Sequence, residues 1–259
     1  MRINLNEYNN HSRIPDFLVV GTQKGGTTSL FELLRRHPQI FLHSLKELQY
    51  FSLYYNKPES WYLSFFGAAD NYQLCGDVTP YYLFHPFCAE RIFKLSANIK
   101  IIILLRDPVE RAISQYFHAV RHGFEDLVIN EAFYAEKLRL EGASSVLSEP
   151  GAQHFSHQKH SYMSRGLYEL QIRKYKTFFP DKNIFIAKSE DFYDNTQLIW
   201  ANLLNFLEVD PMPLPGLMPA NAGKGEKVNV PMNIRVELRR LFADTADFVN
   251  SSYGFSWGW

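Results

Sequence analysis

Between Val19 and Leu34 the chain reads VVGTQKGGTTSLFELL. Gly21, Gly26 and Thr28 fall in the register of a nucleotide-triphosphate loop, G-x-x-x-x-G-K-[ST]. Thr27 holds the lysine slot, and the cation stands three places earlier, at Lys24. Backbone N–H groups after a strand, joined to a helix N-terminus, attract an anion. Gly25 and Gly26 let the chain approach it closely. Thr27, Thr28 and Ser29 add three hydroxyl donors. The set fits a phosphate-like group better than an ordinary tight turn.

A second candidate is IIILLRD, which ends in Arg106 before Asp107. A magnesium-dependent NTPase wants an acidic metal ligand at such a strand end. A cation there suits another phosphate, and Ser114, eight residues on, could share it. Read alone, Arg106 would be a surface partner of Asp107 or Glu110. In SLKELQYFS, the pair Lys46–Glu47 read alone is a solvated ion pair. As a general base Glu47 would work best if buried, and Leu48, Tyr50 and Phe51 are expected to bury it. His154, His157 and His160, at spacing three, read as polar loop residues, because no matching ligand cluster stands nearby. No metal is expected.

These residues need a scaffold. DFLVV, Asp16 to Val20, is a short apolar run between Pro15 and Gly21, hence a buried strand. Thr27 to His37 reads as a helix that Pro38 stops. Ile99 to Leu105 is a second buried strand, apolar throughout as in a parallel sheet covered on both faces. Asp107 is placed to N-cap a helix over Val109 to Val120, with Pro108 in its first turn. A third strand is predicted over Ile184 to Ala187, and TQLIWANLLNFLEV follows as a helix. Strand–helix alternation implies an α/β fold, P-loop-like and doubly wound, with a mainly parallel sheet flanked by helices. Glu141 to Ser161 and Val209 to Pro231 read as irregular loops, and loops this long are usually functional.

The 259 residues, 46% apolar and 15% aromatic, suffice for one domain spanning 1–259, with 1–14 a flexible N-terminal segment. Twenty-seven basic and 27 acidic residues cancel, so no global field favours nucleic acid or an anionic membrane. Any anion site must be local. The two cysteines, Cys75 and Cys88, without a secretory leader point to a reducing compartment. No apolar run is long enough to span a bilayer. A cytoplasmic location is expected.

The motifs converge on one family. GTQKGGTTSL resembles the 5′-phosphosulfate loop of sulfotransferases that use 3′-phosphoadenosine 5′-phosphosulfate (PAPS). LLRDPVERAISQY resembles their 3′-phosphate site, and SLKELQYFS the segment bearing the catalytic glutamate in the heparan-sulfate N- and 3-O-sulfotransferase branch. GDVTPYYL resembles a substrate-side strand and turn, SRGLYELQIRKYKTFFPDKNIFIAKSEDF a later helix and strand, and GFSWGW the family's ending. The resemblance spans about residues 15–259.

It implies sulfuryl transfer from PAPS to an acceptor hydroxyl, yielding adenosine 3′,5′-bisphosphate without a metal. Lys24 would stabilise the leaving phosphate oxygen, and Glu47 would take the acceptor proton; His118 and His122 are fallback bases. The donor would be held by Lys24, Gly25, Gly26, Thr27, Thr28, Ser29, Arg106 and Ser114, with Tyr168 packing near its pocket. Lys224 and Gly225 would belong to a loop closing over it. Lys46, Asp77 and Tyr82 would stand on the acceptor side. Val78 occupies a place where the heparan-type enzymes usually carry lysine, and their C-terminal disulfide loop is missing. Both departures turn the expectation from a highly anionic glycosaminoglycan toward a glycan, lipo-oligosaccharide or carrier-bound small molecule. Two alternatives stay open: a P-loop kinase using ATP and magnesium, and a non-catalytic nucleotide- or glycan-binding protein.

Overall fold

A computed structural model describes residues 13–194, 196–215 and 230–259. Five strands build one parallel sheet: β1 (Phe17–Gly21), β2 (Ile40–Leu42), β3 (Leu74–Val78), β4 (Lys100–Leu105) and β5 (Ile184–Lys188), in the order β2-β3-β1-β4-β5. The helices among the described residues are α1 (Thr27–Leu34), α2 (Glu59–Leu63), α3 (Cys88–Leu95), α4 (Pro108–Arg121), α5 (Ile129–Arg139), α6 (Ala143–Leu147), α7 (Phe155–Lys159), α8 (Tyr168–Lys176), α9 (Asp191–Asp194), α10 (Thr196–Leu207), α11 (Met232–Leu241) and α12 (Ala243–Tyr253).

Both sheet faces are buried, which is why the strands read as unbroken apolar runs. Leu18, Val20, Ile101, Ile103 and Leu105 face one core, closed by side chains of α3, α8 and α12. Phe17, Val19, Ile102, Leu104 and Ala187 face the other, closed by α1 and α10. A third cluster packs α4 against α5, Tyr162 and α11. The predicted strands and helices around β1, β4 and β5 are present, with ends shifted by up to three residues. Pro108 opens α4, and Asp107 caps it by accepting from Val109 N–H at 2.8 Å.

Other elements were not anticipated. β2 has three residues, too few for periodicity to register. The expected loop 141–161 contains two helices, α6 and α7, each of five residues. α11 and α12 form a C-terminal pair, with Ile234, Leu238 and Val249 buried. Of the expected flexible segment, residues 1–12 lie outside the described residues, whereas Arg13 donates to the Asp70 carbonyl at 3.0 Å and pairs with Asp16. No helix among the described residues is long and apolar enough to cross a membrane.

β1 stands at the centre with β3 on one side and β4 on the other, so the chain leaves it in opposite directions. A crevice outside the carboxyl ends of strands at such a switch point is where ligands bind in open α/β sheets.

Candidate active site

The loop after β1 is held from several sides. Thr22 N–H donates to the Leu104 carbonyl of β4 at 2.9 Å, and Gly25 N–H to the Thr22 carbonyl at 2.9 Å. The Ser189 hydroxyl, just past β5, donates to the Gly25 carbonyl at 2.5 Å. A Cβ on Gly25 would sit 3.0 Å from the carbonyl oxygens of Leu104 and Thr22, so glycine is required there. Gly26 takes φ 89° as it enters α1, and no side chain caps the first turn. Thr27 and Ser29 are buried and Thr28 is half-buried. Among the described residues the buried Thr22 hydroxyl has no hydrogen-bond partner.

Lys24 has φ 68°, a left-handed value that costs a non-glycine residue energy and recurs at functional sites. Burial, and then Arg121 and Arg106, hold its ammonium pKa below the usual lysine value. Arg106 donates to the Lys24 carbonyl at 3.0 Å, so the two cations belong to one site. The alternative pairing of Arg106 with Asp107 or Glu110 does not form. Glu110 pairs with Arg235, while the Asp107 carboxylate caps α4 and accepts the Trp259 indole N–H at 2.9 Å. Among the described residues, no ion pair involves Lys24, Arg106 or Arg121. Ser114 lies half-buried two turns along α4. Tyr168 is fully buried, and its hydroxyl donates to the Arg106 carbonyl at 2.7 Å. It supports the strand end and leaves no surface for a ligand.

The expected burial of Glu47 is not found. Leu48, Tyr50 and Phe51 turn into the core, while the Glu47 side chain remains 40% exposed. Left-handed φ values at Glu47 (63°) and Gln49 (58°) separate the two directions. The Glu47 carboxylate accepts from Lys46 Nζ at 2.8 Å and from the Gln49 amide at 3.2 Å. Ser52 orients that amide by donating to its oxygen at 2.7 Å. Glu47 N–H donates to the Val78 carbonyl at the end of β3, at 3.2 Å. Asp77 and Tyr82 lie beneath this segment, buried and bonded to each other at 2.9 Å. Burial lifts the Asp77 carboxyl to about 6, against hydrogen bonds from Thr79, Tyr82 and Tyr62. Val78 points into the core beside α1.

Arg121 and Arg165 were not singled out by their sequence context. Arg121 comes near Lys24 only because α4 runs unbroken to that point. His118 sits among Lys24, His122, Arg121 and Lys159; burial and these cations hold its pKa down to about 4. Zero net charge thus hides a local cationic surface. Arg165, three residues before α8 begins at Tyr168, is buried; it donates to Gln23 of the loop, and at 2.8 Å to each of the His157 and Gln158 carbonyls. The three histidines diverge. His154 caps α7, His157 meets the Tyr81 hydroxyl at 2.8 Å, and His160 meets the Phe124 carbonyl at 2.7 Å. Among the described residues no group of three or more His, Cys, Asp or Glu is arranged to hold a metal ion. Lys224 and Gly225 lie outside the described residues. A cavity of about 430 Å³ lined by Asp16, Leu74, Lys100 and Glu208 lies at the opposite, amino end of the strands.

A glycine-rich loop after the central strand of a parallel sheet flanked by helices defines a P-loop-like fold. A sulfotransferase-domain family model matches residues 14–214, and the chain belongs to that family. It is 27% identical to the membrane-associated sulfotransferase kil1 of Dictyostelium discoideum, over 83% of this chain and 60% of that protein. It is 28% identical to the bifunctional heparan sulfate N-deacetylase/N-sulfotransferase 2 of Homo sapiens, over 77% of this chain and 22% of that protein. The chain thus spans less than two thirds of these curated relatives. A sulfotransferase structure from Alicyclobacillus acidocaldarius superposes with a TM-score of 0.77 at 25% identity, over 92% of this chain and 95% of that one.

Proposed function

We propose that the domain transfers a sulfuryl group from PAPS to a hydroxyl of a glycan-type acceptor. The observation that carries this reading is the meeting of Lys24 and Arg106 at one loop, 3.0 Å apart from guanidinium to carbonyl, with Glu47 fastened to the end of the neighbouring strand. The fit to a doubly phosphorylated nucleotide rests on three features. They are the uncapped α1 amides, the unpartnered Thr22 hydroxyl, and two cations without carboxylate partners among the described residues.

In this reading the α1 amides, Thr27 and Thr28 receive the 5′-phosphosulfate, and Arg106 with Ser114 receives the 3′-phosphate; Ser29 lines the same turn. An oxygen–sulfur bond forms from the acceptor hydroxyl as the bond from sulfur to the 5′-phosphate oxygen breaks. Glu47 takes the hydroxyl proton. Lys24 meets the negative charge that grows on the departing oxygen, an interaction stronger in the transition state than before it. Glu47 is exposed in the free protein, so the acceptor itself supplies the desolvation. Lys46 sits against the Glu47 carboxylate and keeps it on the acceptor side. The heparan sulfate named for one relative supports a glycan as acceptor class. A cytoplasmic, reducing setting rests on Cys75 and Cys88, both free and buried.

A kinase would need an acidic strand-end ligand for magnesium, and the Asp107 carboxylate is committed to capping α4 and to Trp259. The test is incubation with PAPS and a panel of glycans, lipo-oligosaccharides and carrier-bound small molecules, read by mass. The expected result is PAPS-dependent addition of a sulfuryl group that survives chelation of divalent metals. Phosphate transfer from ATP with magnesium would establish the kinase instead. Binding of adenosine 3′,5′-bisphosphate with no turnover on any acceptor would favour the binding protein.

A further inference from the structure

Two tryptophans in the segment after α12 reach back to the strand end that carries Arg106. Trp259 donates its indole N–H to Asp107 Oδ2 at 2.9 Å, and Trp257 donates to Glu190 Oε2 at 3.3 Å. Lys188 Nζ, at the end of β5, holds the Ser256 carbonyl at 2.8 Å. Gly258, between the tryptophans, takes φ 73°, a value that a side chain would strain. Trp257 packs against the core around Leu18, and Trp259 against the cluster that α4 forms with α5.

The peptide group that follows Arg106 is gripped at both ends. Its carbonyl accepts the Tyr168 hydroxyl at 2.7 Å, and its N–H, that of Asp107, donates to Glu190 Oε1 at 2.8 Å. The Trp257 ring stands 6.3 Å from the Tyr168 ring, so it borders the first grip while its N–H bonds the carboxylate of the second. The other Asp107 oxygen, Oδ1, caps α4.

A carboxylate beside an arginine is a ready bidentate partner for it. Here each carboxylate is turned to an indole and to the main chain. Among the described residues neither Asp107 nor Glu190 makes an ion pair. The Arg106 guanidinium bonds the Lys24 carbonyl instead, at 3.0 Å.

We propose that Trp257 and Trp259 are positioning residues for Arg106: their indoles hold the Glu190 and Asp107 carboxylates on the main chain and off the guanidinium, which stays directed at the donor's 3′-phosphate. The proposal rests on the reading of Arg106 as the 3′-phosphate contact.

The test pairs Trp257→Phe with Trp259→Phe, which removes both indole N–H groups and keeps an aromatic ring at each place. Calorimetry with adenosine 3′,5′-bisphosphate and with adenosine 5′-monophosphate reads the result. The paired variant is expected to bind the bisphosphate about tenfold more weakly, within the range for hydrogen bonds to charged groups, and the monophosphate within about twofold of the parent. On top of Arg106→Ala it should cost no more than about twofold for the bisphosphate, because the group it positions is gone. Equal losses for the two nucleotides, an unchanged bisphosphate affinity, or the same tenfold loss without Arg106 would each overturn the proposal while leaving Arg106 on the 3′-phosphate. Parent-like bisphosphate affinity in Arg106→Ala alone would overturn the 3′-phosphate reading, and this proposal with it. Should the paired variant fail to fold, Glu190→Gln keeps an oxygen for the Asp107 N–H and offers the Trp257 indole only an amide N–H. It should weaken the bisphosphate several-fold and spare the monophosphate; equal losses would count against the proposal.

Discussion

Residues 21–29 and residues 44–52 frame the same crevice but are held in different ways. The phosphate loop is fixed chiefly through main-chain oxygens: Leu104, Thr22, Lys24 and Gly25 each accept a hydrogen bond that ties it to β4, to itself, to Arg106 or to Ser189. The Glu47 segment is tied at its two ends: Glu47 N–H donates to the Val78 carbonyl at 3.2 Å, and the Phe51 carbonyl accepts from Arg91 at 2.8 Å. Main-chain anchoring survives most side-chain substitutions, whereas the exposed Glu47 carboxylate is oriented by the Lys46 and Gln49 side chains, which a substitution removes. The phosphate loop is thus general to its ligand class, and the acceptor segment is where this chain can be tuned.

Substitutions can break or sharpen that contrast. The largest effect is expected for Glu47→Gln, which keeps size and hydrogen bonding but accepts no proton. It should lower kcat by about 10²–10⁴, the usual worth of general-base catalysis, with affinity for adenosine 3′,5′-bisphosphate nearly unchanged by calorimetry. Loss of that affinity would merge the two regions into one. Lys24→Ala should cost about 10²–10³ in kcat, as for loss of one charge-stabilising group. It should also weaken product binding, since the cation faces the anion before and during transfer.

Arg106→Ala should leave acceptor KM alone and weaken binding of adenosine 3′,5′-bisphosphate by about 2–3 kcal/mol, the range for a charge-assisted contact. The same variant should bind adenosine 5′-monophosphate about as well as the parent does. An equal loss for both nucleotides would remove the 3′-phosphate from Arg106.

The smallest effect concerns stability against pH. The Asp77 carboxyl, raised to about 6 in the folded chain from an ordinary 3.8, takes up a proton on folding between those values. Its contribution to stability is full below about 4 and lost as pH rises through about 6. In Asp77→Asn that dependence should vanish, which urea melts at pH 4.5 and 7 would read as a smaller difference between the two than in the parent. An unchanged difference would assign the proton elsewhere.

Much of the phosphate side was legible in the residues themselves. Gly25 and Gly26, the hydroxyls after them and the apolar strand before them are adjacent in sequence, and local backbone rules decide their shape. Arg106 and the Asp107 cap follow for the same reason, because a strand end and a helix start lie side by side. The acceptor side was less legible. Glu47 was named from a resemblance, yet its expected burial was wrong, because left-handed residues at 47 and 49 reverse which neighbours face the core. Tyr168, expected near the donor pocket, is buried with its hydroxyl on the Arg106 carbonyl, a contact that no local pattern announced.

The sequence by itself determined the parallel α/β sheet, the glycine-rich loop after β1 and the arginine after β4. Each rests on contiguous apolar runs and turn residues, whose physics acts within a few positions along the chain. Only the tertiary structure decided that Arg121, 97 residues from Lys24 in sequence, shares its electrostatic field, that Arg165 braces Gln23, and that Asp77 is buried with three hydroxyls around it. Those pairings depend on sheet order and helix length, which bring distant residues together with no mark in the local pattern of either.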